Sequence, residues 1–383
     1  PQSTLFGKNA SAGVISIVSA PPSLNELEGS LEATYGNFNA LVLKGYVTGG
    51  IIEDTLGVSI SGGYNRRDGF VTNGFNGDDL NDRNRWFARG QMLFDNGGPF
   101  TLRLIGDYDE IDEKCCAVLN IRPSAETGAI NAVGGRVNDF RTPFNDVVFT
   151  DVVPFNRVQN WGVSGQMDYD FGAVGLTSIT AYRDTSIQAN QDVDFSSAAL
   201  ASGAQIGQAD IETFTQELRL ASDFDGPLNF LVGGYYFKED LSVADQIVYG
   251  SDFRPYANLL VQGATGGALS VPALEGLLGV APGTFFAQGQ GFFNAFQQDN
   301  EAFSLFGQVD LELGALTLTA GAAYTDDRKE VTSSGFTTDA FSQIDLDSAA
   351  LQPLRNQLIV AGALAQFGVD ATNPAAVGAF ATN

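Results

Sequence analysis

From Glu28 to Asp327 the chain returns again and again to an apolar–polar alternation with a period of two. Successive side chains of a strand point to opposite faces, so this alternation specifies strands with one apolar and one polar face. Leu31, Ala33 and Tyr35 oppose Glu32 and Thr34, and Leu41, Leu43 and Val47 oppose Lys44 and Thr48. Val58, Ile60 and Tyr64 oppose Ser59, Ser61 and Asn65. The pattern returns in segments 86–94, 102–109, 161–171, 214–224, 303–313 and 316–327. Segments 174–184 and 228–240 are apolar on both faces and carry a weaker signal. Eleven strands are expected.

The connections sort by parity. Those at 49–54, 95–99, 171–174, 223–227 and 314–315 are short, whereas 67–83, 114–156, 185–210 and 241–298 are long. Only the first hairpin, Gly36–Asn39, breaks the rule. Short turns on one side and long loops on the other suit a transmembrane β-barrel; a soluble sandwich has no reason to sort its loops this way. In hydrocarbon an unpaired backbone N–H or C=O costs several kcal/mol, so spanning strands must close into a ring. The Leu, Val, Phe and Tyr face then meets lipid, and the Arg, Asp, Glu and Gln face lines a wet interior. Tyr35, Tyr64, Trp86, Tyr108, Trp161, Tyr182 and Tyr324 are placed as an interfacial aromatic girdle requires.

Composition agrees. Only 17% of the 383 residues are charged, Gly is 45, Phe 29 and Tyr 11, and the mean hydropathy is zero. No run of 18 apolar residues could form a transmembrane helix. The formal net charge of −25 argues against nucleic acid as a partner.

The stretch before the alternation, PQSTLFGKNASAGVISIVSAPPS, is a Gly/Ala/Ser-rich turn region, one short apolar strand and a double proline. It resembles the end of the plug domain of TonB-dependent outer-membrane receptors, through Gln2, Thr4, Leu5, Phe6, Gly7, Lys8, Asn9, Ala12, Gly13, Ile17 and Val18. Ser3 stands where the family usually has Gly. Segment 62–70 with 79–83 resembles the family's third strand and following loop. Thr215–Ser222 resembles a recurrent TQELRLAS strand, and 305–308 with 316–329 resembles its ALFGQ…LTAGLRYTDDRK hairpin, with Ala322-Ala323 replacing Leu-Arg.

The resemblance implies an all-β fold: an antiparallel transmembrane barrel, here about 11 of 22 strands, after the last part of a plug. Residues 1–23 would be the end of the plug and 24–383 the first half of the barrel. The chain is expected to be a fragment, with signal peptide, coupling segment and most of the plug upstream. The function implied is energy-coupled uptake of a scarce small-molecule ligand, with a ferric siderophore or similar iron complex as the first expectation. The partners implied are outer-membrane lipid and the inner-membrane TonB complex, with no cofactor. A passive porin and an adhesin-like surface barrel stay open as alternatives; the plug resemblance speaks against the porin.

Sites of chemistry are scarce. The chain has no His, so it has neither an imidazole base nor a His-ligated metal, and no GxSxG, Walker A or HExxH run occurs. No catalytic residue and no metal site is expected, and the chain is read as no enzyme. Lys44, Arg89, Arg103, Asp107, Asp168, Glu217, Arg219 and Asp310 are the lumen-facing candidates for hydrating the interior and holding the plug. Inert barrel polarity is the plainer reading of any one of them. Within the plug motif, Gln2, Leu5, Phe6, Gly7, Asn9 and Gly13 carry the resemblance. Cys115 and Cys116, the only cysteines, are read as a vicinal disulfide acting as a structural loop clip rather than a redox switch. The acidic run Asn76–Asp82 lacks EF-hand spacing and reads as a solvated loop. Segments 345–367 and 274–280 show helical spacing inside loops.

Overall fold

The computed structural model describes residues 17–345 and a few positions between 347 and 375, without the side chains of 204–206. The motif residues Gln2, Leu5, Phe6, Gly7, Asn9 and Gly13 therefore lie outside the described residues, as does most of the helix expected over 345–367, of which 352–353 and 355–356 are described and helical.

One antiparallel sheet of eleven strands dominates. It contains β1 (Glu28–Gly36), β2 (Ala40–Ile52), β3 (Leu56–Arg67), β6 (Arg83–Asp95), β7 (Phe100–Glu113), β9 (Phe155–Asp170), β10 (Val174–Asp192), β11 (Ala201–Ser222), β12 (Leu228–Tyr249), β13 (Gly291–Leu313) and β14 (Leu316–Thr337). Their spatial order is their chain order, a plain up-and-down meander. Each expected strand has its counterpart, including β10 and β12, whose periodicity was weakest. The short turns use residues that tolerate a left-handed backbone. Gly314, first of a two-residue turn, has φ of 67°, as a II′ hairpin demands.

The strands lengthen from 9 residues in β1 to 23 in β13. Much of what alternation leaves as loop at 185–210 and 241–298 is strand: β10 runs on to Asp192, β11 starts at Ala201, β12 reaches Tyr249 and β13 starts at Gly291. The missing signal has a physical cause. Beyond the ~10 residues a tilted strand needs to cross hydrocarbon, the constraint that sorts the faces lapses, and a stretch such as Gln297-Gln298-Asp299-Asn300 of β13 is polar on both faces and does not alternate.

The apolar face is exposed in the sheet itself: Leu31 is 83% exposed, Ile60 63% and Leu305 53%. A continuous patch of this kind marks a surface that meets something other than water. Two rows of rings border it. On the long-loop side Trp86 lies 5.0 Å from Tyr108, Trp161 5.4 Å from Tyr182, and Phe214 6.2 Å from Tyr236. These pairs sit side by side across the sheet, since Tyr64 pairs with Trp86, Tyr108 with Trp161 and Tyr182 with Phe214. On the short-turn side stand Phe94 with Phe100, Tyr169 with Phe171, and Phe224 with Phe230. Eight residues separate Trp86 from Phe94 and Trp161 from Tyr169, about 26 Å along a strand at ~3.3 Å per residue. That is comparable with the ~25 Å apolar band of a membrane barrel. No helix among the described residues is long and apolar enough to cross a membrane.

The long connections fold into a cap. β4 (Val71–Asn73), β5 (Asp79–Leu80) and β8 (Val147–Val148) form a three-stranded sheet in the order β5-β4-β8. Leu80 and Asn73 within it are fully buried. The run Asn76–Asp82 is thus not simply a solvated loop: it turns into β5, with the Lys114 N–H on Asp82 Oδ1 at 2.6 Å. The described residues of the long connections also include the helices α1 (Ala125–Ala132), α2 (Phe253–Ala264) and α3 (Val271–Leu278). α3 starts three residues before the expected 274 because the Ser270 hydroxyl accepts from the Ala273 N–H. Among the described residues three apolar clusters hold the cap: Val71, Leu80 and Val148 pack within the small sheet, and two more lie around the helices. Tyr249, Ala257, Val271, Leu274, Phe285 and Phe286 make one, and Ile130, Ala198 and Leu200 the other.

Candidate functional site

The polar face of the sheet carries every lumen-facing residue expected from the sequence. Segment 17–27 lies against this face before entering β1. The Ser23 N–H donates to Thr48 Oγ1 at 2.8 Å, and Thr48 in turn donates to the Val58 carbonyl at 3.0 Å. Gly50 and Gly57 let the segment come this close: a Cβ on Gly50 would stand 1.9 Å from the Leu24 oxygen, and one on Gly57 2.4 Å from the Ser23 oxygen. Arg89 Nη1 donates to Ser19 Oγ at 3.1 Å. Arg103 Nη2 donates to the main-chain oxygens of Ser19 and Ala20 at 2.9 and 3.0 Å, and to Gln91 Oε1 at 2.6 Å. Adjacent strands thus aim two guanidinium groups at one turn of chain.

The other candidates form separate stations along the face. Asp107 accepts both of its contacts from Arg183 Nη2, at 2.9 and 3.2 Å. Arg183 also donates to Asn160, which donates to Asp109. Asp168 accepts from Thr177 at 2.6 Å and Gln166 at 2.8 Å. Arg219 and Glu217 form an ion pair at 2.6 Å along β11. Asp310 accepts from Thr319 at 2.6 Å. Lys44 is exposed on the same face. Only Arg89 and Arg103 are brought together on one target. Arg183 and Asn160 were not among the expected residues. Arg183 lies in the segment that is apolar on both faces, where parity gives no assignment, and Asn160 precedes the first alternating residue of β9.

Cys115 and Cys116 are bonded to each other just after β7, at the root of the cap. Deeper in the cap, Arg254 of α2 grips Glu275 of α3 with both terminal nitrogens at 2.8 Å. Glu275 is 1% exposed and also accepts the N–H groups of Phe285 and Gly283. These bonds, the guanidinium first, hold its carboxyl down at about 2. A second acidic group, Asp151, Asp192 and Asp194, joins the loop after β7 to the loop after β10. One carboxylate oxygen from each lies within 4.8 Å of the others. Burial, then mutual repulsion, pushes Asp192 up to about 7 and Asp151 up to about 6. This cluster is invisible in the sequence, where Asp151 and Asp192 are far apart.

No family model matches the chain. Solved structures do. The ferric yersiniabactin uptake receptor FyuA from Yersinia pestis aligns over 88% of this chain and 44% of its own, with a TM-score of 0.62 and 16% identity. FpvAI, in its complex with pyocin S2, aligns over 84% of this chain and 40% of its own, with a TM-score of 0.54 and 12% identity. The unliganded ferric citrate transporter FecA aligns over 88% and 44%, with a TM-score of 0.50 and 10% identity. The chain spans less than half the length of each. With its eleven-strand meander, bordered apolar face and polar face bearing the entering segment, the chain has the fold of part of a TonB-dependent receptor barrel.

Proposed function

We propose that this chain belongs to an outer-membrane receptor that takes up a scarce small ligand under energy coupling, with a ferric siderophore or similar iron complex as the cargo. In this reading residues 1–23 are the end of a plug and 24–383 the first half of the barrel. The observation that carries it is the route of segment 17–27. The chain enters β1 from the polar face, anchored by Arg89, Arg103 and Thr48. A passive porin has no reason to lay chain there, whereas a plugged barrel must.

The apolar face and its two aromatic rows suit outer-membrane lipid. β1 pairs only with β2, and β14 only with β13, among the described residues. Open edges cannot sit in hydrocarbon, so the reading requires further strands to close the ring. The polar face then lines a wet lumen, and the long-loop cap meets ligand outside. The driving force comes from contact between the plug and the inner-membrane TonB complex, so the role is transport and not catalysis.

The test is uptake by cells that carry the whole gene and lack receptors of their own. Radioactive iron supplied as a panel of ferric siderophores should accumulate for at least one member, and only while the TonB complex is intact. Accumulation that survives loss of that complex would mark a passive pore.

A further inference from the structure

We propose that Asp151, Asp192 and Asp194 form a divalent-cation site, of the Ca2+ class, that fastens the loop after β7 to the loop after β10. The site does not depend on what the barrel transports.

Asp192, the last residue of β10, is 3% exposed. Its Oδ1 accepts the N–H groups of Asp194 and Phe195 at 3.0 and 2.9 Å, which turns the chain back on itself with Phe195 at φ of 53°. Its Oδ2 is buried and has no hydrogen-bond partner. Asp151 Oδ1 is likewise buried and without a donor. Asp194 accepts from Ser196 Oγ at 2.5 Å and from the Ala201 N–H at 3.0 Å. Two carboxylates from two different loops, each with an unsatisfied buried oxygen, thus come together with a third, one oxygen of each lying within 4.8 Å of the others.

Leaving such oxygens buried and unpaired is costly. No cation of the protein offsets them, because no ion pair among the described residues involves any of the three. The charges that act on Asp151 are the acidic Asp194 and Asp252, and those that act on Asp192 are Asp194 and Asp151. The surroundings hold the donors in place. Asn73 of β4 donates from Nδ2 to the Thr150 oxygen at 2.8 Å and accepts the Thr150 N–H at 3.2 Å, which fixes the residue next to Asp151. The Asn120 side chain donates to the Phe195 oxygen at 3.0 Å, and the Arg136 and Ser197 main chains meet at 2.9 Å.

Carboxylates alone, with no thiolate or imidazole, select hard cations. Donors that come from a tight turn and a second loop suit the irregular coordination of Ca2+ better than the strict octahedron of Mg2+. A bound ion would satisfy Oδ2 of Asp192 and Oδ1 of Asp151 at once and tie together the parts of the cap that meet at Ala198 and Leu200.

The test is calorimetric titration of Ca2+ into the whole receptor that contains this chain, purified in detergent and freed of metal with chelator. Wild type should bind one Ca2+ with a sub-millimolar Kd, and Mg2+ at least tenfold more weakly. Asp192→Asn keeps the Oδ1 turn contacts and should weaken Ca2+ at least tenfold. Asp151→Asn keeps an oxygen to accept from the local backbone and should do the same, so a folding defect in one variant leaves the other decisive. Asp225→Asn, at an exposed turn on the opposite side, should bind as wild type. Absence of Ca2+ binding, or binding that survives both Asp192→Asn and Asp151→Asn, overturns the site.

Discussion

Arg103 on β7 holds the main-chain oxygen of Ser19 at 2.9 Å, across 84 residues of sequence. The contact joins the barrel wall to the chain that precedes its first strand. Because the acceptors are main-chain oxygens at Ser19 and Ala20, the grip depends on where the segment runs more than on its side chains. If the segment must move for ligand to pass, this contact and that of Arg89 must break first.

Arg103→Ala should therefore loosen the segment without unfolding the sheet. A hydrogen bond from a charged donor contributes about 1.5–3 kcal/mol. Hydrogen exchange at the Ser23 amide, which is bonded to Thr48, should speed up roughly tenfold or more. Unchanged protection at Ser23 in an Arg89→Ala/Arg103→Ala double variant would show that the segment is held by something else.

The pair Arg254–Glu275 should matter to the cap far more than to the barrel. Removing one partner of a buried pair costs about 3–5 kcal/mol, so Arg254→Ala should open the 250–290 region to protease while the strands stay resistant. The acid side follows from Glu275. Its folded pKa, about 2, lies below the ordinary 4.5. Its stabilisation is thus fully present above pH ~4.5 and fades as pH falls toward 2. Cap proteolysis at pH 3 should approach that of Arg254→Ala at pH 7; equal resistance of the wild-type cap at pH 3 and 7 would contradict this.

The acidic cluster has the opposite sign. In chelator, Asp192 near 7 and Asp151 near 6 both lie above the ordinary 3.8. A raised carboxyl stabilises the fold below its unfolded pKa, and that contribution is lost as pH rises through the folded value. Besides its own three carboxylates, the groups facing the cluster are Asp252 and, beside Asp194, Tyr256 of α2. Protection of the amides at 193–200 in chelator, corrected for intrinsic exchange, should fall between pH 5 and 8, and Ca2+ should restore it at pH 8. A cap equally protected at both pH values without Ca2+ would remove the electrostatic argument.

The two tryptophans, Trp86 and Trp161, both stand in the ring row on the long-loop side. In a bilayer both should report one interfacial depth. Lipids brominated near the carbonyl end of the chain should quench their fluorescence more than lipids brominated near the terminal methyl. The reverse order would place this row in the bilayer centre and misassign the membrane level.

Leu218, 49% exposed on the apolar face of β11, lies between the two rows. Leu218→Arg should cost about 2–4 kcal/mol in reversible folding into lipid vesicles, as a charge on the lipid face does. Thr215→Arg, on the polar face of the same strand, should cost far less. Equal costs would mean that the two faces are not sorted between lipid and water.

Much of this was legible in residue order alone. Alternation such as Trp86, Ala88, Gly90, Met92 and Phe94 against Arg89 and Gln91 reports the strand and both of its faces, because a strand crossing hydrocarbon has no freedom to mix them. It also placed Arg89 and Arg103 on the polar side. Above the membrane both faces meet water, the constraint lapses, and the upper parts of β10 to β13 were hidden among loops. What Arg103 holds, what Arg254 grips and where Asp151 meets Asp192 were decided by tertiary structure alone. Those contacts join residues from separate loops and strands, and their energies arise from burial and geometry, which no local pattern encodes.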